Sequence, residues 1–129
     1  MTLRVSDALK AARPDMRFMY ISGQGSDAKA RAMWARVKGE TENELLARWG
    51  QQATMFRPGL IEPEGGIPGQ NSLLYKLMYK AAPVLKTIGL PVVGTTALGK
   101  AMLAAAKAPR PTEKRILENA DILALAGSA

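Results

Sequence analysis

Short apolar runs alternate along the chain with apolar positions at helical spacing, and this alternation predicts the elements of the fold. A helical spacing predicts a first helix over Val5–Ala12, with Ser6 and Asp7 suited to its start. The run Arg17–Ser22 is apolar on both faces, which predicts a short strand. Such strands are typical of parallel sheets that helices cover on both sides.

A long helix and a second strand follow. Ser26 and Asp27 are good helix caps, and the pattern after them predicts a helix over Ala28–Trp49. A second strand is predicted over Ala53–Arg57. Because a long helix joins the two strands, we expect them to be parallel, with a right-handed crossover. Gly39 indicates a close-packing point within the helix. The side chains expected to face the core are Met33, Val37, Leu45 and Leu46.

The second half of the chain is divided by proline and glycine. The segment Leu60–Gln70 predicts an irregular loop. The helices predicted after it are Leu73–Ala82, Val84–Ile88, Ala97–Lys107 with Thr95 or Thr96 as its cap, and Ile122–Ala126, with a third strand over Lys114–Leu117. This order indicates an α/β layered fold with a mostly parallel sheet of about three strands and flanking helices.

Composition narrows the chemistry. The chain of 129 residues suits a single domain, and it contains no cysteine and no histidine. These absences remove disulfides, thiolate nucleophiles, the usual zinc sites and Ser-His-Asp triads, so we expect no metal site. The formal net charge of +7 favours anionic partners. The basic residues are scattered, however, so we expect no nucleic-acid binding. No signal peptide or membrane-spanning apolar run is evident, and we expect a cytoplasmic protein.

The turn after the first strand admits one chemical interpretation. The run Gly23-Gln24-Gly25-Ser26-Asp27-Ala28 fits the loose dinucleotide pattern G-x-G-x-x-G/A. If a helix opens there, its backbone N–H groups could hold a pyrophosphate. Two features weigh against it: Asp27 would place a carboxylate beside the phosphates, and the second strand ends in Arg57 rather than in an acidic residue for the ribose.

A second interpretation uses Ser22, Trp34 and Lys38. Ser22 lies at the carboxyl end of its strand, where α/β sheets open onto ligands. Trp34 and Lys38 are four residues apart and share one face of a helix. An ammonium there could bind the hydroxyls of a cofactor ribose and lower the pKa of a neighbouring acid. The competing structural interpretation makes Ser22 a strand-end cap, Trp34 a core residue and Lys38 a solvated charge.

This spacing of serine, aromatic residue and lysine resembles the short-chain dehydrogenase/reductase superfamily. The resemblance is closest to the extended or atypical branch that contains NAD-dependent epimerases and dehydratases. Five segments occur in the expected order and cover nearly the whole chain: YISGQGSD, MWARVKGETENELL, MFRPGLIEP, TTALGKAML and KRILENADI.

The resemblance implies roles for individual residues. Ser22 takes the position of the active-site serine that hydrogen-bonds substrate, and Lys38 that of the lysine that holds the nicotinamide ribose. The run Pro58, Gly59 and Leu60 takes the place of the segment along the nicotinamide. Trp34 stands at the position of the catalytic tyrosine. Since an indole N–H only donates and does not titrate usefully, ordinary dehydrogenase chemistry is in doubt.

The resemblance also implies an organisation for the chain. It corresponds to the C-terminal part of a Rossmann-like doubly wound parallel sheet whose N-terminal nucleotide-binding half is missing. Residues 1–59 would form the end of the sheet with the serine and lysine positions, and residues 60–129 the substrate-side cap helices and last strand. We expect NAD or NADP to bind the complete protein, but weakly or not at all to this chain, which we expect to be inactive alone. A strand edge left exposed would favour self-association.

A different class of function stays open. The region Ser72–Lys107 is basic and amphipathic, and it could bind an anionic membrane surface or a partner protein. Its lysines would lie on one side of a helix and its large apolar residues on the other. These are Lys76, Lys80 and Lys86 against Leu73, Leu74, Leu77 and Met78.

Overall fold

The computed structural model describes residues 1–64, 80 and 91–128. Within this part of the chain the fold is α/β, with parallel strands flanked by helices. The helices predicted over Leu73–Ala82 and Val84–Ile88, and most of the amphipathic region Ser72–Lys107, lie outside the described residues. Lys80 is the exception: it is helical and exposed. None of the helices in the described part has the length and apolar character needed to cross a membrane.

Four α-helices are described, together with a 3-10 turn at Gly50–Gln52. They are α1 (Thr2–Ala12), α2 (Met33–Trp49), α3 (Thr95–Lys107) and α4 (Asn119–Gly127).

Five strands form two parallel sheets in the described residues. They are β1 (Phe18–Ile21), β2 (Ala53–Arg57), β3 (Leu60–Glu62), β4 (Val92–Gly94) and β5 (Ile116–Glu118). The main sheet has the order β1-β2-β5, with Phe18 opposite Ala53 and Phe56 opposite Leu117. The prediction that the first two strands are parallel is confirmed.

Helices cover both faces of the main sheet. On one face Ala53 and Met55 of β2 pack in a cluster with Leu45 and Trp49 of α2, and the Trp49 ring stacks on Phe18 of β1. On the other face Phe56 and Leu117 pack against residues of α3 and α4, which include Leu98, Ala101, Ala105 and Ile122. Alternate residues of β2 therefore serve two separate cores, as expected of a strand covered on both sides.

The start of the long helix differs from the prediction. The structure has α2 beginning at Met33, five residues after the predicted start at Ala28. The backbone at Asp27–Ala28 instead crosses α2 at Gly39, so closely that an added Cβ would overlap it. The predicted close-packing point is thereby confirmed. Ser26, predicted as a helix cap, instead donates to the carbonyl oxygen of Gly23, 2.7 Å away.

Several other boundaries and burials also differ. The first helix begins at Thr2, and Ser6 is a buried partner of the Trp49 indole nitrogen, at 2.7 Å, rather than a cap. Met33 and Val37 are exposed, not in the core, because they lie on the face of α2 turned away from the sheet, whereas Leu45 is buried as predicted. Strand β1 is only partly buried, since it is the edge of the three-stranded sheet.

The predicted loop after β2 begins with a strand. Leu60–Glu62 forms β3, which pairs in parallel with β4, a strand that the sequence did not predict. Each of these two strands has only three residues and lies close to a proline, which is too short to show the alternation of apolar and polar residues that predicts a strand. The start of α3 is capped across these strands by Glu64, whose carboxylate accepts from the backbone N–H of Thr96 at 2.9 Å.

Candidate functional site

The carboxyl ends of β1 and β2 frame an open depression of about 600 Å³. Ser22 follows β1 directly and Pro58 follows β2 directly, and the parallel pairing brings the two ends together. The hydrogen bonding between the two chain segments continues beyond the strands, because the Gln24 N–H donates to the Pro58 carbonyl at 2.9 Å. The lining residues are Ile21, Ser22, Gly23, Gln24, Lys38, Pro58, Gly59, Leu60 and Ile61.

Lys38 reaches this depression from α2. Its ammonium donates to the backbone carbonyl oxygen of Ser22. Gly23 lies next to it: its φ of +142° is one that L side chains rarely adopt, and an added Cβ would be in van der Waals contact with Lys38 Nζ, at 3.5 Å. The ammonium therefore stands at the tip of β1 beside a stretch of bare backbone.

The hydroxyl of Ser22 points into the protein. Ser22 is 3% exposed, and its Oγ is hydrogen-bonded to Oε1 of Glu42, which is 1% exposed. The carbonyl oxygen of Phe56 lies 3.3 Å from the same Oγ. Ser22 thus borders the depression while its hydroxyl is tied to a buried carboxylate beneath it.

Arg57, the last residue of β2, balances the charge of Glu42. Its Nε lies 2.9 Å from Oε1 and its Nη2 lies 2.5 Å from Oε2, which forms a two-pronged ion pair. Its Nη1 also reaches Glu118 at the end of β5, at 3.1 Å. These hydrogen bonds, those to Glu42 above all, raise the pKa of Arg57, although partial burial acts against them. The ends of all three strands of the main sheet are joined to α2 in this way.

The opposite wall of the depression is held by α4 and β4. Gly59 donates its N–H to Oδ1 of Asn119, at 3.0 Å, and Leu60 donates to the carbonyl oxygen of Pro91, at 2.9 Å. A Cβ at Gly59 would overlap that Pro91 oxygen. The backbone from Pro58 to Leu60 is consequently fixed in place, and only glycine fits at its centre.

Trp34 lies beside the depression rather than in its lining. It is 55% exposed, which contradicts the structural interpretation of Trp34 as a core residue. Its ring atom Cη2 lies 3.5 Å from the place where Gly25 would carry a Cβ. Tyr20 of β1 is the nearest phenol in sequence, but it packs in the cluster of Leu45. Burial and, to a lesser extent, the charge of Glu42 raise the pKa of Tyr20, so it stays protonated at neutral pH.

The structure excludes a helix N-terminus at the glycine turn. Because α2 begins only at Met33, no helix opens at the turn, and several of the turn's N–H groups donate to the protein itself. Ser26 N donates to Gly23, and Asp27 N donates to the carbonyl of Ala35 at 3.0 Å. The helix start on which the pyrophosphate interpretation depended is therefore absent at this turn. Across residues 1–64, 80 and 91–128, no group of acidic side chains is arranged to hold a metal ion.

Sequence reasoning assembled part of this site and missed part. The structure brings Ser22, Lys38 and the run 58–60 into one depression, with Trp34 outside its lining. It adds Glu42, Arg57 and Asn119, which sequence reasoning did not single out. The position of Glu42 could have been predicted from its spacing, because it lies seven residues from Ala35 and three from Leu45, on the same face of α2. That face is buried, and a buried carboxylate needs a charged or hydrogen-bonding partner.

Comparison with known proteins adds one finding. No protein-family model matches the chain. The chain is similar to the curated protein "Protein FMP52, mitochondrial" from Eremothecium gossypii, with 32% identity over an alignment of 113 residues. The alignment covers 83% of this chain and 50% of that protein, so the chain spans about half the length of the curated relative it matches.

Proposed function

We propose that the chain is the C-terminal part of an NAD(P)-binding protein of the epimerase/dehydrogenase kind, with a Rossmann-like sheet. In this proposal the depression receives the nicotinamide-ribose half of the cofactor. The observation that carries it is the position of Lys38, whose ammonium contacts the Ser22 carbonyl at the tip of β1. The short-chain dehydrogenase/reductase resemblance puts a ribose-binding lysine at this position.

The residues present fit that half of the cofactor. The volume of about 600 Å³ lies in the range of ordinary ligand sites, roughly 300–1,000 Å³. Lys38 has three N–H donors, of which one is used by Ser22, so the others can bind ribose hydroxyls. The backbone at Gly59, held by Asn119, offers a fixed wall for a flat ring. When bound, the cofactor would supply hydride transfer.

Trp34 cannot perform the proton transfer that a tyrosine at this position would perform. The resemblance places a tyrosine there to move a proton, whereas the indole only donates a hydrogen bond. We therefore propose binding without the usual proton transfer at this position. The adenine and pyrophosphate half of the cofactor would need a different binding site. Residues 1–22 contain no glycine, so they supply no glycine-rich turn ahead of β1 to bind it. We expect this chain alone to bind NAD(P) weakly and to be inactive.

Titration of the 15N-labelled chain with NADH and with nicotinamide mononucleotide tests the proposal. We expect amide shifts confined to residues around the depression, such as Gly23 and Gly59, with a dissociation constant on the order of 1 mM for both ligands. The substitution Lys38→Met should abolish these shifts. Lys100→Met, which removes an exposed lysine on α3, is the matched control and should leave them unchanged.

Two results would count against the proposal. Shifts that persist in full after Lys38→Met would separate the lysine from the ligand. Binding of NADH in the micromolar range would show that this chain also holds the adenine half, contrary to the partial site proposed here.

A second candidate function, binding to an anionic membrane surface or a partner protein, has one observation in its favour. On α3, Leu103 is 58% exposed, and Lys100 and Lys107 are exposed on the same side of the helix. Co-sedimentation with vesicles that contain anionic lipid should then show binding that salt weakens. Absence of salt-sensitive binding would remove this candidate.

The remaining proposals concern partners and location. Strand β1 is the edge of the main sheet in the described part of the chain, so we propose that two copies can associate through it. A cytoplasmic location and a lack of nucleic-acid binding stay predictions of the sequence. The name of the relative from Eremothecium gossypii assigns that protein to the mitochondrion. Light scattering at increasing concentration tests the association.

A further inference from the structure

We propose that the start of α2, with the residues just before it, docks on a lipid surface that carries anionic phosphate headgroups. This α2 surface consists of three exposed apolar side chains and the exposed basic side chains near them in sequence. The apolar residues are Met33, Trp34 and Val37, and the basic residues are Lys29, Arg31 and Arg36. The α2 surface is distinct from the Leu103 side of α3, and the inference does not rest on the cofactor proposal.

The centre of the α2 surface is apolar and exposed. Met33 is 70% exposed, Trp34 is 55% exposed and Val37 is 51% exposed. Val37 lies four residues after Met33 and three after Trp34, so the three side chains are neighbours on the helix surface. Single exposed apolar residues are common on proteins, but a contiguous group of large ones is typical of an interaction surface.

The charge next to this centre is of one sign. Residues 28–39, AKARAMWARVKG, contain four basic side chains and no acidic one. Lys29, Arg31 and Arg36 are exposed, and none of them forms an ion pair with another residue in the described part of the chain. The first turn of α2 has no acidic residue, so the positive end of the helix dipole adds to the same charge. The α2 surface therefore favours an anionic partner.

Acidic residues limit the basic run and give the docking a direction. Asp27 precedes the run and Glu40 follows it. Glu40 and Glu44 are both exposed, and they lie three and seven residues after Val37 on α2. An anionic surface attracts the first turn of α2 and repels the turns that follow. We therefore expect α2 to approach the lipid with its N-terminal end rather than to lie flat along it.

A lipid interface fits this combination better than other partners. A second copy of the chain would bring two surfaces of like charge together, which is unfavourable. Nucleic acid would pair with the arginines but would leave Met33 and Val37 without apolar contacts. At a membrane, aliphatic side chains enter the acyl boundary, an indole lies at the level of the headgroups and basic side chains meet lipid phosphates. The α2 surface supplies all three kinds of group.

Trp34 provides the measurement, because it lies in the α2 surface. Vesicles of phosphatidylcholine with about 30% phosphatidylserine are added to the chain, and pure phosphatidylcholine vesicles are the reference. With the anionic vesicles we expect Trp34 emission to shift to shorter wavelength and its quenching by acrylamide to decrease. Added salt should reverse both changes. Trp49 contributes a constant background, since it is 2% exposed.

Two double variants with the same change of charge test the basic residues. Arg31→Gln with Arg36→Gln should weaken vesicle binding about ten- to thirtyfold, because each basic residue near an anionic membrane contributes about fivefold. Lys100→Gln with Lys107→Gln, on α3, is the matched control and should change binding by less than about twofold. Val37→Thr, which keeps the side-chain shape but adds a hydroxyl, should also weaken binding.

Each outcome decides for or against the inference. No spectral change with anionic vesicles overturns it, and so does an equal change with both kinds of vesicle. Binding that the α2 double variant leaves within about twofold of wild type overturns it as well. If only the α3 double variant loses binding, the membrane contact belongs to α3 and not to α2. None of the substituted residues lines the depression, so the nicotinamide titration and the vesicle assay can fail independently.

Discussion

Replacing Glu42 by alanine should destabilise the fold far more than the same change at Glu44, two residues along the same helix. Glu42 is 1% exposed and pairs with Arg57, while Glu44 pairs on the surface with Arg48. Both substitutions put alanine in the interior of α2, so the change in helix propensity is shared. The difference between them isolates the buried interaction.

The size of the effect follows from what is left behind. Breaking a buried ion pair by removing one partner costs about 3–5 kcal/mol, because the other charge stays buried without compensation. Here the Arg57 side chain is 20% exposed and keeps its contact with Glu118, which reduces that penalty. We therefore expect Glu42→Ala to lower the free energy of unfolding by about 2–3 kcal/mol. Glu44→Ala should change it by no more than the error of the measurement.

Urea unfolding followed by circular dichroism measures both variants. With a slope near 2 kcal/mol/M, the expected loss moves the midpoint for Glu42→Ala down by about 1–1.5 M. Unchanged slopes would show that both variants still unfold from the same native state. Equal midpoints for the two variants would refute the reasoning, because they would mean that the buried ion pair contributes no more than a solvated one.

Three further predictions follow from other contacts. Gly39→Ala should lower the free energy of unfolding by about 1–3 kcal/mol, because the new Cβ would overlap the backbone at Asp27–Ala28. Gly99→Ala places its Cβ in open space on α3, so it should be neutral or raise that free energy by up to about 1 kcal/mol. Thermal unfolding compares the two variants. The hydrogen bond from Lys114 lowers the pKa of Asp121 below 3.8, so the contribution of Asp121 to folding stability is present above pH 3.8 and lost as the pH falls below it. The substitution Asp121→Asn should therefore reduce the change in unfolding free energy between about pH 6 and about pH 3. Trp34→Phe should remove most acrylamide-quenchable fluorescence, whereas Trp49→Phe should preserve it, because the two indoles are 55% and 2% exposed.

The parallel core was predictable from the sequence for a physical reason. The two strands Phe18–Ile21 and Ala53–Arg57 are short, apolar runs on either side of a long helical pattern, and a crossover of that length requires parallel pairing. Each signal is local, so it survives without knowledge of the rest of the fold. The strands β3 and β4 lacked such a signal, because they are three residues long and, within the described residues, pair with each other in a separate sheet.

The start of α2 shows where local reasoning fails. Ser26 and Asp27 have side chains that cap helices, but the same side chains also close turns, and sequence alone does not decide between the two. At Gly39, a dozen residues later, a missing side chain lets the backbone at Asp27 cross the helix. This contact between distant residues accompanies the helix start at Met33, and no local pattern shows it.

The site and the stability of the fold share one interaction, which determines how the site can be studied. Glu42 accepts from the Ser22 hydroxyl and also neutralises Arg57, so we expect a change at any of these three to alter both the proposed site and the folding. Lys38 differs, because it is only partly buried and donates to a neutral backbone carbonyl. Removing its ammonium therefore leaves no buried charge without a partner. Substituting Lys38 should therefore weaken ligand binding at little expense in stability. A loss of binding in a Glu42 variant is informative only when its folded fraction has been measured, whereas a loss in a Lys38 variant points to the ligand directly.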